Sequence, residues 1–300
     1  MNFRKKIIII AKTDSEDALK IAKKIYEILL MRKDVEILVE RELSWKLNIE
    51  YGVTLRDTIA DIIIAIGGDG TILRVADEVK ERDIPILAIN AGTVGFLSEI
   101  YPDELNFNEL AEKIYKAING NYHTRNCTRL KATIERFAYT EQVLRNIEEV
   151  YPPLDALNEI TIMTSIPSKL ICLNIKKDGS EVFKGRCDGV IISTTTGSTA
   201  YSLSAGGPVI DPSLDVFIIT PLSPLKLIQR SIVISVDSQI EVEVCEKGVE
   251  AIMIADGRYN IRIPTGTKIL LKKSEYSTKL IRIDYKDFYS KLKNRIYMEL

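Results

Sequence analysis

A carboxylate stands inside a run of glycines in residues 61–71. The apolar stretch Ile62, Ile63, Ile64, Ala65, Ile66 leads directly into Gly67, Gly68, Asp69, Gly70 and Thr71. Glycines let the backbone come close to a bulky anion, which the free amides of a helix start can hold. A plain phosphate cradle would exclude Asp69, because like charges repel. The carboxylate has a use if it takes a proton from an attacking hydroxyl or helps to hold magnesium. The plainer reading is a glycine turn whose Asp caps the next helix.

Two further constellations bear on that choice. Residues 188–208 join Asp188 and Gly189 to a hydroxyl-rich block, Ser193, Thr194, Thr195, Thr196, Ser198, Thr199, Ser202 and Ser204, closed by Gly206, Gly207 and Pro208. Such a block suits a ligand dense in hydrogen-bonding groups, and Tyr201 offers an aromatic face or a phenol. The plainer reading is a Ser/Thr-rich strand and turn. Asn158 and Glu159 open an otherwise apolar strand. Asn can read a base or ribose and Glu can grip a diol or a metal, although a polar pair at a strand edge is also ordinary.

The elements that must position these groups follow from periodicity. Apolar runs predict strands at residues 5–11, 35–39, 62–66 and 84–90, with helices between them. Thr13 and Glu16 have capping-box spacing for a helix reaching about Met31. Residues 71–82 carry apolar positions at helical spacing (Ile72, Val75, Ala76, Val79), and residues 107–119 form another helix. Residues 41–58 are polar and carry no assignment. Strands alternating with helices predict a doubly wound, mainly parallel sheet, with the loops after the third and fourth strands at one crevice. From residue 129 to 273 the chain turns to short strand-like runs, at 131–135, 159–163, 169–175, 190–193, 216–220, 232–236, 240–245, 251–255 and 268–272. A hairpin turn is expected at Lys177, Asp178, Gly179, Ser180. The expected fold class is therefore an α/β N-terminal domain with a doubly wound, mainly parallel sheet, plus an all-β layered C-terminal domain. Residues 1–121 form the first, joined by 284–300, whose helix packs back on it, and residues 122–283 form the second. Residues 137–153 are read as a charged excursion, and no internal repeat or linker is visible.

Composition narrows the classes. The 300 residues carry 41 Lys and Arg against 42 Asp and Glu, a net charge of −1, which argues against a nucleic-acid partner. No apolar run is long enough for a membrane span or signal peptide, so the expectation is a cytoplasmic protein without a membrane partner. Cys127, Cys172, Cys187 and Cys245 are widely spaced and read as reduced, buried thiols. His123 is the only histidine, which excludes histidine metal clusters.

Taken together, the motifs resemble those of the NAD kinases. That family carries Gly-Gly-Asp-Gly-Thr, a Gly-x-x-Gly-Phe-Leu loop, Asn-Glu, an Asp-Gly-Val-x-x-Ser-Thr-x-x-Gly-Ser-Thr-Ala-Tyr-Ser-Leu-Ser-x-Gly-Gly-Pro block and Pro-x-Ser-Pro. All occur here in that order, at residues 67–71, 92–97, 158–159, 188–208 and 221–224. The long block is the specific part, because lipid kinases and phosphofructokinase-like enzymes carry relatives of the first motif.

The resemblance implies magnesium-dependent phosphoryl transfer to the 2′-hydroxyl of the adenosine ribose of NAD, from ATP or polyphosphate, giving NADP. Asp69 matches the catalytic proton acceptor. Gly67, Gly68, Gly70, Thr71, Arg74 and Phe96 fall at nucleotide-binding positions, and Asn158 with Glu159 at those holding the adenosine half. Arg186 and Asp188 match positions near the nicotinamide. Thr196, Thr199, Ala200, Tyr201, Ser202, Leu203 and Ser204 match the segment along the adenine and dinucleotide backbone. No protein metal ligand is assigned, magnesium being held largely by the donor phosphates, and the family implies a homodimer or homotetramer. Thr195 stands where Pro is frequent, and Arg258 follows Asp256 and Gly257 where Gln is common. No G-x-x-x-x-G-K-[ST] or G-x-G-x-x-G occurs, so neither a P-loop kinase nor a Rossmann oxidoreductase is indicated. A lipid kinase would leave the hydroxyl block without a purpose, and a non-catalytic NAD sensor would not require Asp69.

Overall fold

The computed structural model describes residues 4–92, 95–102, 105–136, 151–226, 229–284 and 288–297. The chain divides into two compact units, Met1–Cys127 with Ser277–Leu300, and Thr128–Tyr276. Among the described residues no helix is long and apolar enough to cross a membrane.

In the first unit the chain forms β1 (Lys5–Ala11), α1 (Glu16–Leu30), β2 (Val35–Val39), α2 (Arg41–Leu47), β3 (Ile62–Gly67), α3 (Asp69–Glu78), β4 (Ile86–Asn90) and α4 (Phe107–Ile118). The strands are parallel in the order β2-β1-β3-β4. Every residue of β3 is buried, which is why its sequence is apolar on both faces. Helix α1 buries Ala18, Ile21, Ala22, Ile25, Ile28 and Leu29, one stripe at helical spacing, into the same core as Ile7, Ile9, Ile64 and Ile66. Its N-cap differs from expectation. Ser15 accepts the Ala18 N–H at 3.3 Å, while Thr13 points its hydroxyl to Glu42, 3.4 Å away. The capping box in this unit is instead Asn106 with Glu109, at the start of α4. The unassigned residues 41–58 contain α2 and a short 3₁₀ turn, Leu55–Asp57. The C-terminal helix, Phe288–Tyr297, packs on this unit, with the Phe288 ring 6.1 Å from that of Phe96.

The second unit is built from strands: the end of β5 (His123–Arg136), β6 (Leu154–Ala156), β7 (Glu159–Thr164), β8 (Ile171–Lys177), β9 (Ser180–Cys187), β10 (Gly189–Thr194), β11 (Val216–Leu222), β12 (Ile232–Ser235), β13 (Ile240–Val244), β14 (Ala251–Ala255), β15 (Tyr259–Ile263) and the start of β16 (Lys268–Arg282). One antiparallel sheet runs β12-β11-β10-β7-β14-β15, and β16, β13, β8 and β9 pair side by side, also antiparallel. Their inward residues share one core, in which Ile160, Ile192 and Phe217 meet Leu173, Val242 and Leu271. The hairpin turn forms as expected, with Asp178 and Gly179 at φ of 47° and 81°. Strands β9 and β15 carry too many polar positions to be marked by hydrophobicity, and β6 is only three residues long. The run expected at 268–272 is the start of one long strand, β16. Of the expected excursion, residues 137–150 lie outside the described residues.

The cysteine reading needs one correction. Cys172 and Cys245 form a disulfide, with Cα atoms 5.3 Å apart. The antiparallel pairing of β8 with β13 brings them together across 73 residues of sequence, and the Cys245 N–H donates to the Cys172 carbonyl at 2.9 Å. Cys127 and Cys187 are free and buried, and burial pushes the Cys187 thiol up to about 12. Closing a loop of that length restricts the unfolded chain by up to about 4 kcal/mol. Replacing both Cys172 and Cys245 by Ser should therefore lower the unfolding free energy by a few kcal/mol (~2–4). Denaturant titration of the oxidised protein against the variant tests this, and equal midpoints would show that no disulfide forms.

Candidate active site

Strand order in the first unit reverses between β1 and β3, the position at which an open α/β sheet leaves a crevice beyond its strand ends. Gly67 ends β3 there, Gly68 is the N-cap of α3 and Asp69 is its first residue, two residues earlier than the sequence pattern suggested. Asp69 is thus not the capping residue. Its carboxylate reaches the loop after β4, accepting the Phe96 N–H at 3.1 Å and the Leu97 N–H at 3.2 Å. Gly95 makes that approach possible, since a Cβ there would lie 2.7 Å from Asp69 Oδ1.

Gly68 and Gly70 are different. A Cβ at either would meet nothing within 4 Å, and neither has a positive φ. The folded chain needs glycine at neither place, so the open space beside Asp69 is what the two residues preserve. Arg74, one turn further along α3, forms a bidentate pair with Glu40 at 2.7 and 3.1 Å and a contact with Glu78 at 3.3 Å. Phe96 is buried.

In the second unit Asn158 and Glu159 lie at the start of β7, both buried. Their backbone is held by a residue the sequence pattern did not single out as functional. The carboxylate of Asp256 accepts the N–H groups of Leu157, Asn158 and Glu159 at 2.8, 2.8 and 3.1 Å. Asp256 sits in the tight β14–β15 connection with φ of 48°, followed by Gly257 at 66°. The signal available in sequence was the Asp-Gly pair between two strand-like runs. With their backbone fixed, Asn158 Oδ1 and Glu159 Oε2 are left buried without a hydrogen-bond partner. Native proteins rarely tolerate such atoms, and a ligand can satisfy them.

The hydroxyl block divides into two groups. Ser193, Thr194, Ser198 and Ser202 are turned inward. Thr194 donates to the Leu157 carbonyl at 2.6 Å and accepts the Gly197 N–H at 3.1 Å, and Ser202 meets Thr220 at 3.1 Å. Thr194 thereby fastens a 3₁₀ turn, Thr196–Thr199, over the Asn158 carbonyl, where a Cβ on Gly197 would collide. The short helix Tyr201–Ser204 follows, with Tyr201 43% exposed and Ser204 exposed. Thr196 and Thr199 are buried, while Ala200 and Leu203 are half-buried. Glu159, Asn158 and this turn therefore form one cluster. Arg186 and Asp188 do not join it in the same way. Arg186 is exposed on β9 and lines a cavity of about 270 Å³ with Lys169, Cys172 and Lys247, and that lining contains no residue of the Asn158 cluster. Asp188 lies between β9 and β10, its backbone paired to Leu222 and Thr164.

Burial pushes the Glu159 carboxyl up to about 8, reinforced by the negative charge of Asp256 and opposed by the Tyr201 N–H. Asp256 is also raised, chiefly by burial, against the pull of its backbone donors.

Comparison with known proteins adds to this geometry. The family model for the ATP-NAD kinase N-terminal domain matches residues 7–122, and that for the ATP-NAD kinase C-terminal domain matches residues 157–283. The chain belongs to the ATP-NAD kinase family. It is thereby a phosphotransferase. An NAD kinase from Methanothermobacter thermautotrophicus is 39% identical over 294 residues, covering 97% of this chain and 96% of that protein. A bifunctional NADP phosphatase/NAD kinase from Methanococcus maripaludis is 34% identical over 95% of this chain, which spans 48% of that longer protein. Among solved structures, an NAD kinase from Archaeoglobus fulgidus in complex with ATP has 29% identity and a TM-score of 0.71, covering 97% of this chain and 98% of that one. Yeast NADH kinase complexed with NADH shares the fold, with a TM-score of 0.83 at 21% identity, covering 99% of this chain and 88% of that one.

The Glu159 carboxyl gives a pH test for this family member. The group stays protonated in the folded state up to about pH 8 but ionises near its ordinary 4.5 when unfolded. Its contribution to stability is therefore complete below the lower value and is lost as pH rises to the higher one. The ligand-free Glu159→Gln variant should lose less stability between pH 5 and 8, the slopes differing by at most about 1.4 kcal/mol per pH unit. Parallel stability curves would mean that Glu159 is ionised in the folded protein.

Proposed function

We propose that this chain transfers the terminal phosphoryl group of ATP, or of inorganic polyphosphate, to the 2′-hydroxyl of the adenosine ribose of NAD, giving NADP. The ribose oxygen attacks phosphorus, the bond to the departing phosphate oxygen breaks, and Asp69 takes the hydroxyl proton. The observation that carries this reading is the Asp69 carboxylate, held by the Phe96 and Leu97 amides at the head of α3 beside the space kept open by Gly68 and Gly70. Family membership supports NAD as acceptor. In this reading Asn158 and Glu159 bring unsatisfied buried atoms to the adenosine half, and the exposed ring of Tyr201 lies against the nucleotide. Arg186 and Asp188 serve the nicotinamide half.

Magnesium held on the donor phosphates would supply positive charge to offset the negative charge developing on the transferred group. Among the described residues no three His, Cys, Asp or Glu side chains cluster, so such an ion would take its oxygens chiefly from phosphates and water, with Asp69 the carboxylate at hand.

Asp69→Asn keeps the side-chain size and one acceptor but removes the base. Turnover should fall roughly 10²- to 10⁴-fold, with the loss in kcat and NAD affinity retained. Steady-state assay of NADP formation with magnesium and each donor in turn measures this, and near-normal turnover would remove the general-base role. Gly70→Ala places a better helix former in α3, so Tm should hold or rise, a gain of about 0.5–1 kcal/mol. The KM for ATP should nonetheless increase, because the methyl group enters the space proposed for phosphate. An unchanged KM for ATP would place the donor elsewhere.

A further inference from the structure

The two amides that hold Asp69 belong to a loop fastened from its other side by the C-terminal segment. Leu97 donates its N–H to Asp69, and its carbonyl accepts from Arg282 Nη1 at 3.2 Å. The next carbonyl, that of Ser98, accepts from Lys291 Nζ on the C-terminal helix at 2.7 Å. Glu99 follows, its buried carboxylate accepting the N–H groups of Ile283 and Asp284 at 3.0 Å each and facing Arg282 at 3.3 Å. The Phe288 ring lies 6.1 Å from that of Phe96. Tyr101, 5.6 Å from the Lys291 ammonium, donates its hydroxyl to the Gly95 carbonyl at 2.7 Å. The main chain of residues 95–99 is thus spanned between Asp69 and the last strand and helix of the protein.

We propose that Lys291 and Arg282 are positioning residues for phosphoryl transfer: by fixing the Ser98 and Leu97 carbonyls they fix the amides that orient the Asp69 carboxylate. Neither side chain touches a reacting atom. Their effect passes through one peptide segment whose N–H groups face the base and whose carbonyls face the C-terminal segment. A general base acts through its geometry before its basicity, and a displacement of about 1 Å can cost on the order of 10²-fold in rate. This inference rests on Asp69 as the base.

The test is a double-mutant cycle on the full chain, read as NADP formation with NAD, ATP and magnesium. Lys291→Met keeps the apolar stem and removes the donor. It should lower kcat roughly tenfold and leave the KM values for NAD and ATP and the Tm near those of the parent. Lys291→Arg, which retains a donor, should restore most of the rate. In the Asp69→Asn background, Lys291→Met should cost nothing further, because the group it positions is gone. Three results overturn the proposal: parental kcat in Lys291→Met, the same fold loss in both backgrounds, or a rate that falls only as Tm falls. Arg282→Met, which likewise removes the donor, provides a second entry to the same cycle should Lys291→Met fold poorly, with the same loss of kcat expected and the same three results overturning the proposal. An inactive Asp69→Asn beside a fully active Lys291→Met would sink this inference alone, whereas an active Asp69→Asn would sink the reading on which it rests.

Discussion

A carboxylate accepting two consecutive backbone amides is the contact on which the first unit's active end depends. Phe96 and Leu97 lie outside any strand, and an unpaired amide in a buried place costs about 1–3 kcal/mol. Asp69 meets that need for Phe96 and Leu97. The same bonds remove the rotational freedom of the side chain. In the role proposed for it, a proton acceptor must be held still, and hydrogen bonds from main chain provide that condition. Gly95 is a consequence of this arrangement, because only a residue without Cβ lets the loop approach so closely.

The second unit solves a harder electrostatic problem. Glu159 and Asp256 are buried near each other, and the structure gives them unequal treatment. Asp256 receives three main-chain donors, whereas Glu159 keeps an oxygen without a partner. The carboxyl with three donors serves the backbone, and the one with an unpaired oxygen is held in a costly state that a polar ligand can relieve. Two inward hydroxyls of the Ser/Thr block hold this geometry: Ser193 donates to the Asn158 carbonyl, and Thr194 links the Leu157 carbonyl to the Gly197 amide of the turn that covers Asn158.

Glycines in the glycine-rich turns follow two different rules. Gly95 and Gly197 are required by close contacts of the folded chain itself, with Asp69 and with the Asn158 carbonyl. Gly68 and Gly70 are required by nothing in the protein. Sequence shows the four alike, and only the surroundings separate a residue that lets the chain fold from one that leaves room for something else.

Much of the molecule was legible in its sequence because the signals are local. An apolar run such as Ile62–Ile66 is a buried strand whatever surrounds it, and the stripe from Ala18 to Leu29 is a helix face. The family motifs singled out Asp69, Asn158, Glu159 and Tyr201 as candidates. Tertiary structure decided what depends on residues far apart in the chain. It set Ser15 in place of Thr13 as a cap, paired Cys172 with Cys245 and tied Arg74 to Glu40. Asp256 became the anchor of a strand start some hundred residues earlier, and Arg282 and Lys291 came to fasten the loop that holds Asp69. Periodicity reports which face of an element is buried, but it carries no information on which distant polar group will meet it. Those partners are fixed when packing brings unsatisfied donors and acceptors together and burial makes leaving them unpaired too costly.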